Sequence, residues 1–237
     1  MCNRVRASFE FRELRVRWNI FNVLSEFKPS HNVTPDQDGR VAIVRSEKGN
    51  EGRLMYWPLI PSFAERMDLP FSTVNARDDR LLESRTYSRL LNKRRCLIPT
   101  TGFYESQGRK PPKIPFFIFQ KSNEPFALAG LWNMWKKPDG SMLQSFTIIT
   151  TPANDLMRRI HRRMPVILHK EDEEKWLDCS ANPFAKVQSL IRPFPCELMA
   201  AHEVSQRIYD DGYDAPDCAA PLERQPSTFS LEVFANG

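Results

Sequence analysis

The sequence predicts an α+β fold in a single domain, an antiparallel sheet with helices packed against it. Three observations carry that prediction. IPFFIFQ at 114–120, FALAGLW at 126–132 and SFTIITT at 145–151 are apolar, β-rich runs divided by turn signals, the pattern of an antiparallel sheet. Between Phe9 and Phe27, the residues Phe11, Leu14, Trp18, Phe21 and Leu24 recur at three- and four-residue intervals, the period of an amphipathic helix. A chain of 237 residues, 41% hydrophobic and 27% charged, can bury one substantial core.

Taken in order, the helix over 9–27 is followed by SHNVTPDQ, where His31 and Asn32 precede a proline-containing turn. Val41 to Val44 form a short apolar strand, and RLMYWPLIPSF pairs with it as a strand interrupted by two prolines. Leu81 to Asn92 reads as a helix with arginines outward, and RCLIPTTGFYES as strand, turn and strand. Gln107 to Lys113 is a basic, proline-containing hairpin loop. Asn154 to Ile160 and Glu171 to Leu177 are short helices, the second with its acidic residues in the first turn, where the helix dipole favours them. AHEVSQRIYD is a late strand. The domain is expected to span 1–220, with 221–237 a loosely ordered tail.

Composition narrows the function. No run approaches the ~20 apolar residues that cross a bilayer, so no membrane role is expected. Five cysteines, odd in number and without CxxC spacing, predict reduced thiols in a cytoplasmic protein, and no charged-then-apolar leader precedes Cys2. The +5 net charge suits a polyanion partner. Arginine gathers in three stretches: Arg4 to Arg17, Arg77 to Arg95, and Arg158 to Arg163. A phosphate-binding surface is expected from them.

The chemistry centres on Cys2. Its small side chain permits removal of Met1, leaving a cysteine with a free α-amine and a thiol. Their reference pKa values are about 7.7–8.0 and 8.5, so both have a nucleophilic fraction near neutrality. An aldehyde is their natural target: the amine condenses to a Schiff base and the neighbouring thiol closes a five-membered thiazolidine. No metal-ligand spacing involves Cys2, and neither metal nor cofactor is expected.

MCNR at the start, VNARDD at 74–79, GFYES at 102–106 and HRRMP at 161–165 stand in order with HNVTP, WPLIP, RCLIP, AGLW and DAPDC. The series resembles the SRAP family, the SOS-response-associated peptidase-like proteins. That resemblance implies a bifurcated, mostly antiparallel β-sheet, part of it closed as a small barrel, flanked by helices. It also implies covalent capture of abasic sites in single-stranded DNA. By it Asn75 positions the terminal amine, Glu105 manages protons at the amine and sugar oxygen, and His161 shuttles protons. Arg4, Arg77, Arg85, and Arg162 or Arg163 would take phosphates, and Phe63 and Phe71 would stack on bases at ~1–3 kcal/mol each, with Trp57 given mainly to packing.

The chain departs from the family pattern at Asn3, Pro58, Phe63, Asp79, Ser106 and at Ile208-Tyr209. Two other readings stay open. One is a thiol peptidase with Cys2 as nucleophile and His161 as base, and the other a reversible single-strand binding module. A monomer, acting in the cytoplasm at the nucleoid of a prokaryotic or phage-derived setting, is expected.

Overall fold

The computed structural model describes residues 2–108, 110 and 112–222. In chain order they form β1 (Arg4–Ala7), α1 (Phe11–Trp18), β2 (Ser30–Val33), β3 (Gln37–Ser46), β4 (Gly49–Trp57), β5 (Asn75–Arg77) and β6 (Arg95–Thr100). Then come β7 (Gly102–Gln107), β8 (Ile114–Gln120), β9 (Phe126–Lys136), β10 (Met142–Pro152), α2 (Asp155–Arg158) and β11 (Arg163–Pro165). The last elements are α3 (Glu173–Leu177), α4 (Phe184–Val187) and β12 (Met199–Glu203).

Five strands close a barrel. Antiparallel pairings run from β4 to β3, from β3 to β6 through Ile43 and Leu97, from β6 to β9 and from β9 to β10. A parallel pairing of Ser145 with Tyr56 then joins β10 back to β4. The apolar runs expected to be strands supply the wall, with Ile43, Leu97, Leu128, Leu131 and Ile148 fully buried. Each such side chain contributes about 1.5–3 kcal/mol by leaving water. Gly130 sits where no side chain fits: a Cβ there would lie 2.1 Å from Ile98 Cδ1 and 2.8 Å from the Thr147 carbonyl oxygen. AGLW therefore needs its glycine for close packing across the barrel.

The second sheet is open, in the order β12, β8, β7, β1, β2. RCLIPTTGFYES joins the two, since β6 belongs to the barrel and β7 to the open sheet. The junction is tied down by Arg6, whose carbonyl accepts from the Thr101 amide and the Thr100 hydroxyl, both at 2.8 Å. The bifurcated sheet with a closed barrel thus stands as expected, and buried residues from both sheets share one core.

Several helices are shorter than the periodicity predicts. α1 stops at Trp18, where Asn19 takes a left-handed conformation (φ 47°). Beyond it the Asn22 amide pairs with Gly52 as a strand would, donating to its carbonyl at 2.8 Å and accepting its amide at 2.9 Å. The chain is drawn onto β4 instead of continuing the helix. Residues 81–92 form linked turns, not the expected helix. The Ser84 hydroxyl accepts the Thr86 amide at 3.2 Å, offering the backbone a competing partner, while Leu81, Tyr87, Leu90 and Leu91 still face inward. Of AHEVSQRIYD, only the start is strand, and Gln206–Tyr209 is a 3₁₀ turn capped by Ser205. The helix expected over 154–160 is the single turn α2, capped by Asn154, whose side chain accepts the Met157 amide at 2.9 Å. The tail expected over 221–237 falls, from residue 223, outside the described residues. No helix among the described residues is long and apolar enough to cross a membrane.

Each arginine-rich stretch commits a side chain to holding the fold together, a correction to the surface expected of them. Arg17 forms two 2.9 Å bonds to the Glu173 carboxylate, which also accepts the Trp18 indole N–H at 2.9 Å, fastening α1 to α3. Arg95 donates to the carbonyls of Leu91, Trp176, Asp178 and Asn182 at 2.5–3.1 Å. Arg163 is described with the site below.

Burial pushes the Glu173 carboxyl up, and Arg17 and Trp18 hold it back. Arg17→Ala is expected to destabilise the fold by about 1–3 kcal/mol, because the buried Glu173 carboxylate is left short of donors. The deficit should shrink as pH falls. A carboxyl raised further in the folded state binds more protons than in the unfolded chain, so stability is lost as pH rises. Urea unfolding at pH 5 and pH 8 checks both points, and an equal deficit at both pH values would exclude Glu173 as the cause.

Candidate active site

β5 lies parallel to β10, with Asn75 opposite Ile148, which puts Asn75 beneath the first residues of the chain. Its side-chain amide donates to the Cys2 carbonyl at 3.0 Å and to Asn3 Oδ1 at 3.1 Å. β1 runs antiparallel to β7, with Arg4 opposite Tyr104, so the start of β1 lies beside the end of β7 that carries Glu105. The Glu105 carboxylate accepts the Ser106 amide at 3.1 Å and stands 4.0 Å from His161 Nδ1. His161 comes from the turn between α2 and β11, where Nδ1 lies 3.1 Å from both the amide and the carbonyl oxygen of Arg163. That nitrogen has a donor when neutral and an acceptor when protonated, the surroundings a proton relay needs.

Cys2, Asn75, Glu105 and His161, scattered over 160 positions of sequence, are therefore brought into one cluster. Cys2 is 2% exposed, with Sγ 3.9 Å from the Arg4 carbonyl oxygen. Burial, and then the Glu105 charge, push the thiol up to about 12. It is protonated at neutral pH, and its thiolate fraction is far smaller than that of an ordinary cysteine. Iodoacetamide is accordingly expected to reach Cys2 more slowly than the half-buried Cys179 and Cys196, with a Cys2 rate still rising at pH 10. Peptide mapping after timed alkylation checks this, and a rate that levels off below pH 9 would contradict it.

Asn3, Arg4, Glu105, His161, Arg162 and Tyr209 face a cleft of about 1100 Å³. Lys113 and Arg158 line it too, so cations outnumber the acidic groups Asp36 and Glu105. Asp36 also borders a smaller hollow of about 390 Å³ that holds Phe71. Phe71 and Phe63 are 46% and 41% exposed, and the Arg85 guanidinium lies 4.2 Å over the Phe63 ring. Trp57, by contrast, is fully buried against Phe146. Arg77 is exposed and held bidentately by Asp79, at 2.9 and 2.5 Å.

The two arginines offered as alternatives at 162 and 163 separate cleanly. Arg162 lines the cleft. Arg163 is 8% exposed and donates to Asp78 Oδ1 and the Thr150 carbonyl, both at 2.6 Å, while the Thr151 hydroxyl donates to Asp78 at 3.0 Å. It fastens β5 and β11 to β10 and so supports the backbones that carry Asn75 and His161. Sequence reasoning missed Asn32, Asp78 and Asp214. Asn32 accepts Arg4 at 2.9 Å and donates to the carbonyls of Ile208 and Tyr213, and Asp214 accepts the backbone amides of His31 and Asn32. HNVTP and DAPDC were legible as motifs, but nothing in either spacing marks them as partners.

The family model described as SOS response associated peptidase (SRAP) matches residues 1–210. Abasic site processing protein YoqW of Bacillus subtilis (strain 168) is 36% identical over 220 residues, covering 92% of this chain and 98% of its own. Abasic site processing protein HMCES of Gallus gallus is 32% identical over 253 residues, covering 93% of this chain and 75% of its own. A crystal structure of a Bacteroides thetaiotaomicron protein superposes with a TM-score of 0.84 at 26% identity, covering 94% of this chain and all of that one.

Proposed function

The chain belongs to the SOS response associated peptidase family, and from that premise we propose that it captures abasic sites in single-stranded DNA covalently, through Cys2, after Met1 is removed. The observation that carries this reading is the Asn75 amide at 3.0 Å from the Cys2 carbonyl, in the cluster that holds Glu105 and His161. It fixes the backbone of the residue that becomes first once Met1 is removed. The relatives' names, abasic site processing proteins, supply the electrophile: the aldehyde of a ring-opened abasic sugar.

The amine acts first. Its ordinary pKa of about 7.7–8.0 leaves a neutral fraction at pH 7.5, whereas burial and the Glu105 charge raise the thiol in the chain that still carries Met1. Nitrogen attacks the aldehyde carbon, Glu105 passes the proton of the ammonium that forms to the new alkoxide, and a second proton, relayed from solvent, takes that hydroxyl off as one water and leaves an iminium. The iminium now beside Cys2 is a cation where a neutral amine stood, and it lowers the thiol's pKa. Sulfur then bonds to the iminium carbon, the C=N electron pair settles on nitrogen as a neutral amine, and the thiol proton returns to solvent, so the ring closes with no atoms lost beyond the one water. His161 relays protons between Glu105 and solvent. No cofactor or metal enters these steps.

Cations around the cleft, Arg4, Lys113, Arg158 and Arg162, suit the flanking phosphates, which position a strand without reading its sequence. Arg77, Arg85, Phe63 and Phe71 are offered as further contacts to the strand, outside the cleft lining, and Arg163 is left out. A reducing cytoplasm, in a DNA-damage response, suits a reactive Cys2.

Borohydride trapping through time tests the order of steps. A reducible species should appear first, formed with an oligonucleotide carrying one abasic site, and give way to an adduct that borohydride no longer alters. An adduct that is never reducible at any time would refute the amine-first route.

A further inference from the structure

Positions 106 and 209, two of the sequence departures, meet in the structure: the hydroxyls of Ser106 and Tyr209 are hydrogen-bonded. The Arg4 guanidinium lies 5.3 Å over the Tyr209 ring. Arg4 is itself held by Asn32, whose amide also fixes the Ile208 carbonyl in the turn that carries Tyr209. The ring is thus pinned at its hydroxyl, across one face and through its backbone. It nevertheless remains 37% exposed on the cleft wall. Of the two aromatic residues lining that cleft, Tyr104 is 3% exposed with its hydroxyl on the His31 carbonyl. Tyr209 is the one that offers a ring to a ligand.

We propose that Tyr209 is the stacking platform for the nucleobase adjoining the abasic site, an inference that rests on the abasic-strand reading above. A base has an apolar face and the flanking phosphate a negative charge. The open face of Tyr209 suits the first, and Arg4, behind the ring and on the same cleft, suits the second. A ring already immobilised loses little entropy when a base stacks on it. The platform makes capture depend on whether the lesion has a stackable neighbour, with purines favoured for their larger face.

Binding is measured on strands that cannot react, in which a tetrahydrofuran unit replaces the abasic sugar. One strand has adenines on both sides of that unit, and the other has further tetrahydrofuran units there. The wild-type chain should favour the adenine-flanked strand by about tenfold, the worth of one stacked base. Tyr209→Leu, which keeps bulk and removes the ring, should cut that preference to about twofold, and Tyr209→Phe should retain most of it. Equal weakening on both strands, an unchanged preference in Tyr209→Leu, or a Phe variant that behaves as Leu does would each overturn the platform. The covalent reading is scored separately on an aldehyde-bearing strand. A wild-type chain that crosslinks there while Tyr209→Leu keeps its preference refutes Tyr209 alone. A wild-type chain that binds neither unreactive strand and forms no adduct on the aldehyde-bearing one refutes both.

Discussion

Cys2→Ala abolishes the heat-stable adduct with an abasic oligonucleotide, and Cys2→Ser leaves only a species that borohydride can trap: these are the largest effects the site predicts. Alanine keeps the α-amine but removes the sulfur that closes the ring, so the Schiff base stays open to water. Serine keeps a nucleophile, but oxygen closes such a ring far less well. Neither change touches the cleft cations, so affinity for the unreactive tetrahydrofuran strand should stay within about threefold of wild type, under 1 kcal/mol. Denaturing gels with and without borohydride read the first effect, and fluorescence anisotropy the second. A stable adduct formed by Cys2→Ala would place the nucleophile elsewhere.

Glu105→Gln carries the second large expectation, and it has two parts of opposite sign. Removing a positioned acid–base group should slow crosslinking by about 10²–10⁴-fold. The same change removes the negative charge that, after burial, helps raise the Cys2 thiol. The thiol should therefore titrate lower, and Cys2 should alkylate faster than in the wild-type chain. A variant with a more reactive thiol and slower capture separates proton transfer at nitrogen from sulfur nucleophilicity. If both rates fell together, loss of local structure would explain the result, and if both rose, Glu105 would have no part in the amine step.

The fold was legible where burial is periodic. The strands from IPFFIFQ to SFTIITT read correctly because side chains alternating into a barrel or filling its wall leave a composition that turns do not share. It was illegible where a polar side chain competes with the backbone. Asn22 bonding to Gly52 ends α1 early, and Ser84 helps to break residues 81–92 into turns, although both stretches carry helical spacing. Pairing partners far apart in sequence were hidden too, since β6 and β7 read as strand, turn and strand but serve two sheets.

The site divides along similar lines. Cys2, Asn75, Glu105 and His161 were nameable because residue chemistry and motif order point to them. What holds them in place was not. Arg163 and Arg162 are neighbours of one residue type, yet one opens β11 and is bonded to Asp78 and Thr150 while the other stays in the turn before the strand and faces the cleft. Arg17 and Arg95 were likewise indistinguishable from surface arginines until their partners, Glu173 and four backbone carbonyls, were seen. Ser106 and Tyr209 stood out only as departures, and their contact appears once β7 and the 206–209 turn are placed together.

Intact mass of the wild-type chain, alone and after incubation with a single-stranded oligonucleotide carrying one abasic site, tests the central claim most directly. The account predicts a chain lacking Met1, and an adduct at the summed mass less one water that maps to the peptide beginning at Cys2. A chain that retains Met1 yet crosslinks, or an adduct mapping to any other peptide, would contradict it.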